Sequence, residues 1–150
     1  MATATYDDVN LILRLYELRR EPKLREAREW FSSQFKARNF SEFLEQCPPG
    51  SQGNVYFRMV ASYWDMAASF IASGVLNEEL FFQSGGEMLG FWMKTRGILP
   101  DMREMMKNPI MAKNTEEVAG RYITWFNKQA PGALDAMMAS TSNEPDAARS

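Results

Sequence analysis

A carboxylate in the middle of an otherwise apolar stretch is the most chemically informative feature of this chain. Asp65 follows Tyr63 and Trp64 and is surrounded by Val60, Met66, Ala67 and Phe70. A charge in such a setting needs a partner or a wet cavity. Arg58 would lie about 10 Å away along a helix axis, so a tertiary cation is the expected partner, with Arg14, Arg96 and Arg121 as candidates. Two readings stay open. In one, Asp65 belongs to a structural ion pair or to a polar stripe that reaches solvent. In the other, Asp65 and Arg96, beside Tyr63, Trp64 and Trp92, line a pocket that orients a small ligand.

The other reactive residue types carry less. Histidine is absent, which removes Ser–His–Asp triads, His-bound metals and the commonest general acid or base. Cys47 is the single cysteine and precedes Pro48-Pro49. It has no histidine to activate it, so a structural role is expected. One thiol also excludes a disulfide framework and a multi-thiolate metal site. Glu78, Glu79, Glu87, Glu116 and Glu117 invite a metal reading, but di-iron bundles need Glu-x-x-His pairs. Adjacent glutamates also point about 100° apart on a helix. First-turn positions after Asn77 and Asn114 explain four of them by dipole complementarity. Gly50–Asn54 and Ser84-Gly85-Gly86 lack the Gly-Lys-Ser/Thr ending of a phosphate loop and read as turns. No metal, no cofactor and no enzymatic activity are expected.

The elements that must position these residues are helical, since no segment alternates with period two for long. Thr5 caps a first helix running to about Arg20, with Asp7 and Asp8 in its first turn. Its apolar residues cover more than half the circumference, so it needs covering on two sides, by the fold or by another copy. Pro22 starts a second, ordinarily amphipathic helix to about Lys36. Ser41 opens a short piece ended by Pro48-Pro49-Gly50. A long apolar helix follows from about Val55 to Ser73, with Arg58, Ser62, Asp65 and Ser69 as its polar line and Gly74 as its stop. Asn77 caps the next helix, Gly85-Gly86 break it, and it resumes over Glu87–Arg96. Pro100 starts a short helix to about Lys107. Asn114 with Glu117 has the form of a capping box for the last long one.

Several of these pieces taken in order resemble a known family. They are Leu13–Arg20 leading into Lys23–Arg28, the Trp64-Asp65 helix, Ser73–Leu80, and Phe91-Trp92. Over roughly residues 6–126 they resemble a family of small, uncharacterised bacterial all-helical proteins, a domain of unknown function. That resemblance implies a helical fold and a bacterial source, and it implies no chemistry. Pro22 departs from the continuous charged stretch of that family.

The expected fold is all-α, a single-domain helical bundle or array of about six to seven helices. The helical domain spans residues 1–139 and a disordered C-terminal tail spans 140–150. With 17 basic against 19 acidic residues and a net charge of -2, a nucleic-acid partner is not expected. No apolar run approaches the ~20 residues of a membrane span, and the N-terminus lacks signal-peptide features, so a cytoplasmic protein is expected. Charge is uneven: residues 14–38 carry eight basic and four acidic side chains, residues 39–87 one and six. Such a division could pair between copies. The leading functional expectation is a non-catalytic interaction or scaffold protein that self-associates, with Leu11, Leu15 and Leu18 of the first helix at the interface. The alternative is a bundle that holds a small apolar or amphipathic ligand in a cavity lined by aromatic residues and by some of the 11 methionines.

Overall fold

The computed structural model describes residues 3–142. Among them are nine helices and no strand: α1 (Tyr6–Arg19), α2 (Pro22–Gln34), α3 (Phe40–Gln46), α4 (Gln52–Ala72), α5 (Glu78–Phe82), α6 (Gly86–Thr95), α7 (Leu99–Met106), α8 (Lys113–Gln129) and α9 (Ala133–Ser142). The all-α expectation holds, but six to seven helices was too few. Gly85 separates α5 from α6 completely, and the Pro131-Gly132 turn is followed by a ten-residue helix rather than one loose turn. Helix α9 therefore runs past position 139; residues 143–150 of the expected tail lie outside the described residues.

Helix α4 is the axis of the fold. Phe57, Val60, Trp64, Ala67 and Ile71 recur at spacings of three and four, and with Tyr63 and Ala68 they are buried. Helix α2 packs on one flank of α4 and α8 on the other, with α6 and α9 against α8. Phe31, Phe35, Phe43, Phe57 and Phe91 form a connected group of rings between α2, α3, α4 and α6. Its tightest contact is Phe43–Phe57, with ring centroids 4.7 Å apart. Offset or edge-on rings at such distances add to what area burial alone contributes.

Local caps account for most helix starts. Thr5 and Asp8 form a reciprocal capping box on α1, and Pro22 occupies the first turn of α2. Helices one and two are thus separate, with Arg20-Glu21 between them. Asn39, rather than Ser41, caps α3, and Ser51 caps α4, which starts at Gln52, three residues before the expected Val55. Asn77 caps α5, and Gly74 takes the left-handed φ of +82°.

Helices α6, α7 and α8 start without a side-chain cap from their own N-cap residue, and α8 takes one from another helix. Helix α8 begins at Lys113, after Ala112 at φ 56. Asn114 therefore lies inside the first turn, and the Asn114–Glu117 capping box does not form. The cap comes from α4 instead: Asp65 Oδ1 accepts from the Thr115 backbone N–H at 3.0 Å and the Thr115 hydroxyl at 2.9 Å. The expected arginine partner of Asp65 is corrected to Thr115, because a helix N-terminus already presents the positive end of a dipole and free N–H donors. Asp65 is half-buried on α4, and Met66 beside it is exposed.

Replacing Asp65 by Ala removes the cap of α8, and the expected loss is about 1–2 kcal/mol of unfolding free energy. Chemical denaturation checks this, and Asp65→Asn, which keeps an acceptor oxygen, is expected to lose less.

Candidate functional site

The sequence-derived site residues do not form one site. Tyr63 and Trp64 are adjacent on α4 and meet edge-on, with ring centroids 4.8 Å apart. Asp65, one position further and about 100° around the helix, faces Thr115 instead. Trp92 is half-buried on α6, and Arg96 is exposed at the end of that helix. Neither lines the cavity beside Tyr63 and Trp64. Among the interface candidates, Leu15 is buried in the core, Leu11 is half-buried against it, and Leu18 is exposed. They do not share one accessible face.

The residues that do come together sit where α1, α2, α4 and the α5–α6 junction meet. A cavity of about 30 Å³ is lined by Leu15, Tyr16, Arg19, Tyr63, Trp64 and Phe81, with Ile12, Ser84 and Gly85 completing its wall. That is room for a water or two. The Tyr63 hydroxyl donates to the Leu15 carbonyl at 2.5 Å, which ties α4 to α1. The cation expected of Arg96 is supplied by Arg19, whose guanidinium lies 4.8 Å from the Tyr16 ring centroid and 5.6 Å from that of Trp64. A planar cation over an aromatic face is an attractive contact. The Trp64 indole N–H is buried without an acceptor.

Behind Arg19 stands an ion cluster that sequence reasoning missed. Glu87, in the first turn of α6, accepts from Arg19 Nη1 at 2.9 Å, from Arg28 Nε at 2.7 Å and from Arg28 Nη2 at 2.8 Å. Arg28 Nη1 also donates to the Arg19 carbonyl at 2.9 Å. The Glu87 hydrogen bond raises the Arg28 pKa above its ordinary value against the opposing effect of burial. Paired, charge-assisted contacts of this kind fix side-chain direction as well as adding energy. The available signal was the basic excess of residues 14–38 facing a lone glutamate beyond the Gly85-Gly86 break, but a sequence does not say which pairs meet.

An open groove of about 660 Å³ adjoins the cavity and shares Tyr16 with it. Arg25, Arg28, Glu29 and Ser32 line it from α2 at spacings of three, one and three, which is one helix face; Tyr16 lines it from α1, Arg20 from the turn that follows, and Glu87 from α6.

A family model, described as Domain of unknown function (DUF4760), matches residues 4–122. The chain belongs to this family. The DUF4760 match spans the helices from α1 into α8, and so includes the cavity, the Glu87 cluster and the groove. No curated protein and no solved structure matches the chain.

Within this DUF4760 domain, Tyr63 is chemically quiet at neutral pH. Burial pushes its pKa up to about 12 from an ordinary 10.0, and its proton is committed to Leu15. Cys47 is fully buried, and burial pushes its thiol up as well. Helix α3, which ends at Cys47, holds the thiol inside the core and away from reagents.

Two outcomes follow. Tyr63 stays protonated in the folded chain at pH values where the unfolded chain ionises it. Stability from this group is therefore complete below pH 10, falls as pH rises from 10 toward about 12, and levels off above. Thermal unfolding across this range checks it, and Tyr63→Phe is expected to flatten that part of the profile. Cys47 is expected to react with a thiol reagent at the rate of global unfolding, so adding denaturant should accelerate labelling steeply.

Proposed function

We propose that this protein is a non-catalytic interaction protein that self-associates through the outward face of α1. The carrying observation is a run of exposed side chains on that helix. Tyr6 is 78% exposed, Val9 40%, Leu13 54% and Tyr16 51%. Their spacings of three, four and three make one stripe, opposite the face that Leu15 buries. The expectation of an α1 interface is kept, but its residues become Tyr6, Val9, Leu13 and Tyr16 in place of Leu11, Leu15 and Leu18.

The order aromatic, aliphatic, aliphatic, aromatic reads the same in both directions. In an antiparallel pair of α1 helices, Tyr6 of one copy meets Tyr16 of the other and Val9 meets Leu13. This is the self-complementarity that a two-fold interface requires. The seam spans about 15 Å, which is short for a permanent dimer and suits a reversible one. Exposed Met105, Met106 and Ile110 around the end of α7 add apolar surface elsewhere without such a pattern.

The ligand-binding alternative finds less support. The cavity at Tyr63 and Trp64 holds about 30 Å³ and no methionine lines it, whereas pockets for small apolar ligands measure about 300–1,000 Å³. No helix among the described residues is long and apolar enough to cross a membrane. The lone, buried Cys47 and the family likeness support a bacterial, cytoplasmic setting for the proposed dimer.

Light scattering coupled to size exclusion tests the reading. A concentration-dependent dimer is expected, and Leu13→Glu should give a monomer with unchanged circular dichroism, since Leu13 contributes little to the core. A wild-type chain that stays monomeric at its highest soluble concentration would sink the proposal.

A further inference from the structure

The geometry points to the groove between α1 and α2 as a binding site for a small polyvalent oxyanion, a phosphate ester or a di- or tricarboxylate, held by Arg20, Arg25 and Arg28. Three guanidiniums and two carboxylates line this groove, but the carboxylates are unequal. Glu87 is already neutralised by Arg19 and Arg28. Glu29 approaches Arg25 only to 3.9 Å, with both side chains largely exposed, at 74% and 68%. An exposed pair at that distance is weak and exchanges readily for a better acceptor. Arg20 makes no ion pair among the described residues. Two guanidiniums are thus available, beside a third that is held in place.

Arg28 provides the preorganised part. Its Nε and Nη2 bind Glu87 and its Nη1 binds the Arg19 carbonyl, which leaves one N–H on each terminal nitrogen free. A guanidinium fixed in this way loses little freedom when it takes up a second acceptor, and its fork matches the oxygens of carboxylate or phosphate. A groove of about 660 Å³ fits one small ligand. A long polyanion is disfavoured by the net charge of -2 on the chain, because such binding draws on many basic contacts at once.

Isothermal titration calorimetry of the full chain with pyrophosphate and, separately, with citrate tests this. Saturable binding at low salt is expected for at least one of them. Arg20→Gln and Arg25→Gln are each expected to weaken it about tenfold, and the double variant about a hundredfold. Arg38→Gln, at an exposed arginine away from the groove, should leave it unchanged. Pyrophosphate alone would assign a phosphate ester, citrate alone a carboxylate, and both a site that reads charge. The inference is overturned if neither binds, if the double variant binds as well as wild type, or if Arg38→Gln weakens binding as much as the groove variants. Circular dichroism of the double variant guards against misfolding. The inference does not rest on self-association, and binding is expected to persist in the Leu13→Glu monomer.

Discussion

Helix α4 buries seven side chains along its length, and an apolar surface of that extent is stable only when neighbours exclude water from it. That requirement sets the rest of the arrangement. Helices α2 and α8 take its two flanks, and each is amphipathic, so each must present its apolar stripe inward. The Phe31, Phe57 and Phe91 rings then pack between α2, α4 and α6, which draws α6 toward α2. Only because α6 is held there can Glu87 reach Arg19 and Arg28. The polar cluster and the groove beside it are consequences of how the central helix is covered.

Polar ties between helices complete what packing begins. Asp8 serves its own helix through Thr5 and also accepts from the Asn77 backbone N–H at 2.9 Å, so one carboxylate links the start of α1 to the start of α5. These backbone donors hold the Asp8 carboxyl below its ordinary value. Asp65 does the corresponding work between α4 and α8. In both cases a buried or half-buried carboxylate is satisfied by helix N-termini rather than by arginine. The arginines pair with glutamates instead: Arg19 and Arg28 with Glu87, Arg103 with Glu116, and Arg121 with Glu117 and Glu78.

The fold was largely legible in the sequence because its signals are local. Thr5, Pro22, Gly74, Asn77 and the Gly85-Gly86 break mark their elements through chemistry that acts within one turn. Boundaries slipped where two caps stood close together, as with Asn39 and Ser41. The site was much less legible. Tyr63 and Trp64 line a small cavity, but the cation beside them is Arg19, because which arginine arrives depends on how α1 lies across α4. Asp65 looked like half of an ion pair; its partners are a backbone N–H, which every residue but proline carries, and the hydroxyl of Thr115, 50 positions away, and no sequence pattern distinguishes either. Helix α1 reads as apolar nearly all round, and only the packing shows that Leu15 turns inward while Leu13 does not.

The cap that Asp65 supplies also bears on the order in which the chain folds. Most of these helices can close their first turn from residues that lie beside it in sequence. Helix α8 cannot: its closing group lies 50 positions upstream. Bringing the two together means closing a long loop, and that entropy is lost before the contact gives anything back. The front of α8 is therefore a late, non-local event, formed once α4 offers a completed surface. On opening, the same dependence runs backward, so the first turn of α8 and its seat on α4 come apart as one cooperative unit.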